Sequence, residues 1–155
     1  MIVMVSAGCD QISKTIVRKE LAYNVSISLV DKYLTLTKVD NIGAFLSTGS
    51  SLPFFLRFIL LILLPVIFLS YGLFRIISRI DMSKMSVAGW SLMIGGGTGN
   101  LCDRIIHGSV TDFLHLDLII FQTGIFNLAD VSIMGGILII LTGQYLEKKN
   151  MRLVH

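Results

Sequence analysis

The stretch FFLRFILLILLPVIFLSYGLF, residues Phe54 to Phe74, decides the fold of this chain. It is almost entirely apolar, and its length matches the ~20 helical residues that cross the hydrocarbon core of a bilayer. Pro65 predicts a kink within the helix, and Arg57 lies close enough to one end for its side chain to reach the membrane interface. The stretch therefore predicts a membrane-spanning helix.

The composition of the whole chain also indicates a membrane environment. The 155 residues are 54% hydrophobic and 15% charged, and a soluble domain of this size has too little interior to bury so much apolar surface. The net charge of +3 comes without a basic stripe interleaved with aromatic residues, so no nucleic-acid partner is expected. Cys9 and Cys102 lack CxxC spacing and are expected to be small buried residues. Neither a metal nor a cofactor is predicted.

Three further segments predict membrane helices, at about residues 1–17, 86–106 and 125–146. The first is short and is interrupted by Asp10 and Lys14, which are four positions apart, so that on a helix they share one face and can pair. With residues 54–74 these segments predict a mainly α-helical membrane protein. It forms one membrane domain, residues 1–155, with four transmembrane helices, the first of them short.

Positive charges in short segments predict the orientation, because cytoplasmic segments are enriched in Lys and Arg. One cluster lies between the second and third spans and another in the C-terminal tail. Both segments, and by parity the N-terminus, are therefore predicted to be cytoplasmic, which leaves residues 18–53 and 107–124 outside. The residues concerned are Arg75, Arg79, Lys84, Lys148, Lys149 and Arg152.

The first outer loop has a different pattern from the spans. Within about residues 22–50, the runs SISLV and KYLTLTKV alternate between polar and apolar residues and are rich in Thr, Val and Tyr. Such runs favour strands. They predict a small β-sheet on the outer membrane face, between the first and second helices.

Polar residues recur at helical spacing near the outer end of the third span. Asn100, Asp103, Arg104 and His107 fall at i, i+3, i+4 and i+7, which is one helix face. Asp103 is expected to have a structural role, since it lies beside Arg104 and one turn before His107. Small residues four apart, such as Gly95 with Gly99, predict close helix packing.

Two aspartates differ from these because they have no cationic partner in their own segments. Asp112 follows the third span, and Asp130 lies with Asn127 near the outer end of the fourth. An unpaired carboxylate in a membrane protein is a functional hypothesis by default. Two carboxylates held close in a low dielectric share one proton, and such a pair can activate a water to attack an amide. A small proton-coupled transporter or channel subunit is the alternative, since these proteins also carry membrane aspartates.

A second alternative starts from VSAGC, residues Val5 to Cys9, which is similar to the cleavage box of a bacterial lipoprotein. In that interpretation Cys9 is acylated and becomes the new N-terminus. A signal peptide, however, has a basic N-terminal region and a longer apolar core. Here no Lys or Arg precedes Lys14, which disfavours the interpretation.

Four motifs together resemble the lipoprotein signal peptidase family, the type II signal peptidases of bacteria. They are DQISK (Asp10 to Lys14), NIGAF (Asn41 to Phe45), GGGTGNLCDRIIHGSVTDF (Gly95 to Phe113) and FNLAD (Phe126 to Asp130). They occur in the family's order and cover nearly the whole chain. Two departures stand out: the apolar lead before DQ is shorter than usual in the family, and TGIFN lacks the proline that usually precedes Phe-Asn.

The resemblance implies an intramembrane aspartic endopeptidase of the bacterial cell membrane, the inner membrane in two-membraned cells, with its active site toward the outer leaflet. Its substrates would be diacylglyceryl-modified prolipoproteins, cut before the lipidated cysteine, and its other partners membrane lipid and globomycin-type inhibitors. The implied catalytic residues are Asp112 and Asp130. The residues implied to bind substrate or support the site are Asp10, Lys14, Asn41, Gly43, Asn100, Asp103, Arg104 and Asn127.

Overall fold

The computed structural model describes residues 1–31, 33–44, 47–78, 82–118 and 120–153. This part of the chain is mostly helical, with a small antiparallel sheet. Arg79, used above for orientation, and Phe45 of the NIGAF motif lie outside the described residues. The elements in chain order are α1 (Ile2–Glu20), β1 (Ser26–Val30), β2 (Leu34–Asn41), α2 (Phe54–Ile77), α3 (Lys84–His107), β3 (Val110–Asp117), β4 (Gln122–Phe126) and α4 (Leu128–Leu153).

Helix α2 departs from regular α geometry just before its proline. Residues Ile59–Leu63 form a π-helical turn, and Pro65 stands in the first turn of the α-helical segment that follows. Proline has no N–H to donate to the preceding turn. The wider π turn therefore lies where the regular hydrogen-bond ladder is interrupted.

Helix α3 has a defined cap at each end. The Ser83 hydroxyl accepts a hydrogen bond from the Ser86 N–H at 3.2 Å, and Gly108 ends the helix in the left-handed conformation, with φ of 74°. Serine at the first position and glycine after the last are the favoured caps. The helix accordingly extends slightly beyond the predicted residues 86–106.

The predicted start of the fourth helix at Ile125 is wrong. Ile125 and Phe126 belong to β4, where they pair with His115 and Leu114 of β3. Because these residues are hydrogen-bonded in the sheet, helix α4 begins only at Leu128.

The sheet is larger than the sequence predicted. It contains four antiparallel strands in the order β1-β2-β3-β4, and the second outer loop supplies β3 and β4. The prediction of a sheet limited to residues 22–50 therefore has to be corrected. In the β2–β3 register, Asn41 is opposite Val110 and Val39 is opposite Asp112. Alternation along β3 then puts Asp112 on the same sheet face as Asn41.

Helices α3 and α4 meet through glycines. A Cβ added at Gly89 would lie 2.6 Å from the Gly136 carbonyl oxygen, and one at Gly136 would lie 2.5 Å from the Gly89 oxygen. On the α1 side, a Cβ at Gly95 would lie 2.7 Å from Ser6 Cβ. These positions need glycine because the backbones approach more closely than a side chain allows.

Helix α1 packs with one face inward. Its buried residues are Ser6, Asp10, Lys14 and Val17, at helical spacing. This rotation turns Cys9 outward, so Cys9 is exposed and the prediction that it is buried is wrong; Cys102 is half-buried, and both thiols are free. Farther along α1, Val17 forms an apolar cluster with Leu21 and the sheet residue Phe113.

Among the described residues, two helices are long and apolar enough to cross a membrane by length and composition, Phe54–Ile77 and Leu128–Asn150. Exposed apolar side chains cover the first, and Phe54, Ile67 and Ile77 are each more than half exposed. Helices α1 and α3 carry the buried polar residues instead. Four membrane spans therefore stay a prediction, whereas the mostly helical fold is observed.

Candidate active site

Asp112 lies on β3 with its carboxylate enclosed by two asparagines. Asn41 donates from Nδ2 to Asp112 Oδ2 at 3.0 Å, and Asn127 donates from Nδ2 to Oδ1 at 2.6 Å. Only 3% of Asp112 is exposed. A cavity of about 280 Å³, lined also by Val39 and Gly124, adjoins it. The carboxylate is therefore held rigidly at the edge of a space that a substrate can enter.

Burial raises the pKa of the Asp112 carboxyl from its ordinary value of 3.8 to about 6, because desolvation penalises the ionised form. The negative charge of Asp130 acts in the same direction. The amide donors of Asn41 and Asn127 and the positive charge of Lys14 oppose the rise in pKa. Asp112 thus keeps its proton to a higher pH than an ordinary aspartate, in part because of the negative charge of Asp130.

Asp130 is fixed at the start of α4 by a reciprocal pair of hydrogen bonds with Asn127. The Asp130 N–H donates to Asn127 Oδ1 at 3.0 Å, and the Asn127 N–H donates to Asp130 Oδ2 at 3.2 Å. This is a capping box, with aspartate in place of the usual Glu or Gln. Because Asn127 also donates to Asp112, one fully buried asparagine contacts both aspartates.

A second set of contacts reaches Asp130 from α1 through α3. Lys14 Nζ donates to Asn100 Oδ1 at 2.8 Å, and Asn100 Nδ2 donates to Asp130 Oδ1 at 2.9 Å. The ammonium can only donate, so it fixes which end of the Asn100 amide faces Asp130. Lys14 thereby orients the donor that holds the Asp130 carboxylate.

The predicted pair Asp10 and Lys14 is present and belongs to a buried ionic cluster. Lys14 Nζ lies 2.8 Å from Asp10 Oδ2 and 3.2 Å from Asp103 Oδ2, and all three side chains are fully buried. Arg18 Nη2 lies 2.7 Å from Asp103 Oδ1. Asp10 Oδ1 accepts from the Ala129 N–H at 2.9 Å. The cluster therefore joins α1, α3 and the first turn of α4.

Gly43 and Arg104 lie at the edge of the site, beside the end of β2. Asn41 Oδ1 accepts from the Gly43 N–H at 2.9 Å, and Arg104 Nη2 donates to the Gly43 carbonyl at 2.8 Å. A Cβ at Gly43 would lie 2.7 Å from backbone atoms of Ser47 and Thr48, so the turn has no room for a side chain. This turn brings Asn41 and Arg104 to the same site.

Hydrogen bonds and ion pairs thus connect the ten residues predicted for the site. His107, on the same predicted helix face as Asn100, is exposed. The sequence interpretation missed Gln11, which donates to Asp10 and Asp103, and Arg18. Spacing offered a signal for Arg18, because it lies one helical turn after Lys14.

The arrangement presents two carboxyl groups, one buried asparagine between them and a cavity beside Asp112. One carboxyl that keeps its proton and one that is ionised can together polarise a carbonyl and activate water. Throughout residues 1–31, 33–44, 47–78, 82–118 and 120–153, no three His, Cys, Asp or Glu side chains meet in a group that could hold a metal ion.

Known proteins share both the fold and the sequence pattern. Two solved structures, each described as a bacterial membrane enzyme studied by the in meso method, superimpose closely. The one at 2.3 Å resolution has a TM-score of 0.85 and 24% identity, over 96% of this chain and 88% of the other. The one at 1.9 Å has a TM-score of 0.81 and 24% identity, over 92% and 89%.

The family comparison extends this likeness from fold to sequence. The sequence profile described as Signal peptidase (SPase) II matches residues 2–146, a range that contains all four motifs and both aspartates. A match over nearly the whole chain identifies a peptidase: the chain belongs to the signal peptidase II family.

Proposed function

We propose that this protein removes the signal peptides of diacylglyceryl-modified prolipoproteins by water attack between Asp112 and Asp130. Membership of the signal peptidase II family supports cleavage of lipoprotein signal peptides. The observation that supports the two-aspartate mechanism is the position of Asn127, which donates to Asp112 and exchanges two hydrogen bonds with Asp130.

In the proposed first step Asp130 is the base and Asp112 the acid. The ionised Asp130 takes a proton from water while the water oxygen attacks the scissile carbonyl carbon. Asp112 gives its proton to the carbonyl oxygen, which produces a gem-diol. The raised pKa of Asp112, about 6, suits the acid, and the donors from Asn100 and Asn127 suit an ionised Asp130.

The second step returns both groups to their starting states. Asp112, now ionised, takes a proton from the gem-diol as the C–N bond breaks. Asp130 gives its proton to the leaving nitrogen. The products are the free carboxyl end of the signal peptide and the free amino group of the lipidated cysteine.

The membrane arrangement is part of the same proposal. The four helices span the membrane with both termini cytoplasmic, and the sheet and the dyad, the pair Asp112 and Asp130, lie toward the outer leaflet. The exposed apolar side chains of α2 support contact with lipid or with a substrate's acyl chains. Globomycin-type inhibitors, as substrate mimics, are expected to compete for the cavity beside Asp112.

The alternatives drawn from the sequence receive less support. A proton-coupled transporter needs ionisable groups along a path through the bundle, whereas the buried network gathers around the start of α4. Acylation at Cys9 would remove the first part of α1, yet α1 packs as one helix through Ser6 and Asp10.

The direct experiment incubates the purified protein with a synthetic diacylglyceryl-prolipoprotein and with the same peptide lacking the lipid. Mass spectrometry is expected to find a product that begins at the lipidated cysteine, and no cleavage of the unmodified peptide. An intact lipidated substrate, or a cut at another bond, contradicts the proposal. A variant with Asp40→Asn, an exposed change next to Asn41, serves as the matched control and is expected to cut normally.

A further inference from the structure

Arg57 lies in the first turn of α2. It is half-buried and lines two cavities. One, of about 90 Å³, is shared with Arg104, and the other, of about 230 Å³, lies beside Leu52 and Leu60. Within the described part of the chain, no hydrogen-bond partner reaches its buried Nε atom.

Among the described residues, the Nε donors of Arg57 and of Arg104, which line the smaller cavity together, are both buried without a hydrogen-bond partner, and such donors are costly. A buried donor without a partner loses its water hydrogen bonds and gains nothing in return. An ionisable residue within an apolar span is for that reason a candidate for a ligand contact. Arg57 lies within the Phe54–Ile77 span, and its fork of N–H donors adjoins an empty space.

The walls of the smaller cavity define what it can bind. Two guanidiniums contribute the polar side, and Phe54, Phe58 and Leu61 contribute apolar surface. The charge of Arg104 already interacts with the carboxylates Asp112 and Asp130. This interaction offsets part of the charge of Arg104, which weakens the attraction of the cavity for an anion such as a phosphate. The cavity therefore suits a neutral hydrogen-bond acceptor attached to an apolar chain.

We propose that Arg57 is a substrate-binding residue that donates to an ester carbonyl of the diacylglyceryl group on the substrate's cysteine. The proposal rests on the proposed function. The lipidated cysteine follows the scissile bond directly, so its glyceryl esters are joined to that bond through the cysteine side chain and the glycerol carbons. Arg104 connects the cavity to the site through its hydrogen bond to Gly43.

The sizes of the two cavities agree with this assignment. A volume of about 90 Å³ corresponds to about three water molecules, which is room for an ester group but not for a whole acyl chain. The neighbouring cavity of about 230 Å³, with Leu52, Leu60 and Leu61 in its lining, can take the first part of a chain. Arg57 lies between the two, where the ester joins glycerol to the acyl chain.

The test compares two lipidated substrates that differ only in the glycerol linkage. One carries the natural diester and the other a diether, which has no carbonyl oxygen. Arg57→Met is expected to lower kcat/KM for the diester about tenfold through KM, with kcat kept, and to leave the diether unchanged. Arg75→Met makes the same exchange elsewhere on α2 and is expected to leave kcat/KM unchanged for both substrates.

Other results would overturn the inference. An equal loss on diester and diether would assign Arg57 to folding, and a loss that depends on the phosphatidylglycerol content of the vesicles would assign it to a phospholipid headgroup. If Arg57→Met does not fold, Arg57→Lys provides the same comparison, with part of the ester preference retained. If the unmodified protein cuts neither substrate, the proposed function itself fails and this inference with it.

Discussion

Asn127 donates a 2.6 Å hydrogen bond to Asp112 while its backbone N–H and side-chain oxygen bind Asp130. Two residues from different elements, a strand and a helix, are thus held by one side chain that has no exposed surface. The same residue caps α4. Its contribution to stability and its contribution to the relative position of the two aspartates can be separated by mutation.

Asn127→Ala removes both the cap and the donor to Asp112. The expected loss of unfolding free energy is about 1 kcal/mol from the cap, and the expected loss of kcat is about 100-fold because the carboxyl groups lose their fixed geometry. Asn127→Ser keeps an oxygen that can cap the helix. It should recover the stability but not the activity, as measured by thermal unfolding in detergent and by peptide cleavage. Recovery of both would show that Asn127 acts only as a cap.

Lys14→Met leaves Asp10 and Asp103 buried without their shared cation. Removing one partner of a buried ionic cluster costs about 3 to 5 kcal/mol, so a large drop in the unfolding temperature is expected. In the double variant that adds Asp10→Asn, the uncompensated charge is smaller, and the amide oxygen of the substituted side chain can still accept from the Ala129 N–H. Part of the lost stability should return. A double variant less stable than Lys14→Met would contradict this account of the cluster.

Gly99→Ala tests how tightly α1 and α3 pack. A Cβ at Gly99 would collide with the Asp10 carboxylate, which is buried and cannot move freely. Overpacking of this kind costs about 1 to 3 kcal/mol. Gly135→Ala is the matched control, because a Cβ there meets no atom of the described residues within 4 Å. It should be neutral or slightly stabilising, since alanine favours a helix. Equal unfolding temperatures for the two variants would refute the close approach.

The pH dependence of cleavage follows from the raised pKa of Asp112, about 6. A raised pKa means that the proton needed by the acid is present below pH 6 and is lost as the pH rises through it. The profile of kcat/KM should therefore have an alkaline limb with a midpoint near pH 6. Asn41→Ala removes a donor that favours the ionised carboxylate, so the limb should move to higher pH. An alkaline limb that stays in place, or moves to lower pH, would contradict the assignment of Asp112 as the acid.

Local spacing in the sequence was enough to predict several of these features. The four-residue interval between Asp10 and Lys14 predicted their pair, and the absence of a nearby cation singled out Asp112 and Asp130. Most helix ends were predicted within three residues because long apolar runs have few alternatives, but α4 continues to Leu153, well beyond the predicted Leu146. The first half of the sheet was predicted from its alternating pattern.

The rest depends on contacts between distant segments, which local patterns do not encode. Strand β3 forms because residues 110–117 pair with β2, and β4 in turn pairs with β3. That pairing also decides that Asn41 is beside Asp112, and no local signal gives a register between residues so far apart. The start of α4 shifted to Leu128 because the preceding residues pair in the sheet. For the same reason Asn127 was predicted within a helix face rather than as its cap.

Cleavage of a diacylglyceryl-prolipoprotein by Asp112→Asn and Asp130→Asn measures whether the two aspartates together activate water. Each change keeps the side-chain size but removes the titratable carboxyl, and Asp40→Asn controls for the loss of a surface charge nearby. On the two-aspartate mechanism, both variants should fold, with a lower unfolding temperature because one amide NH2 faces a hydrogen-bond donor, and should lose at least about 1000-fold in kcat, because one aspartate cannot replace the other. Cleavage by either variant at the rate of the unmodified protein would contradict it.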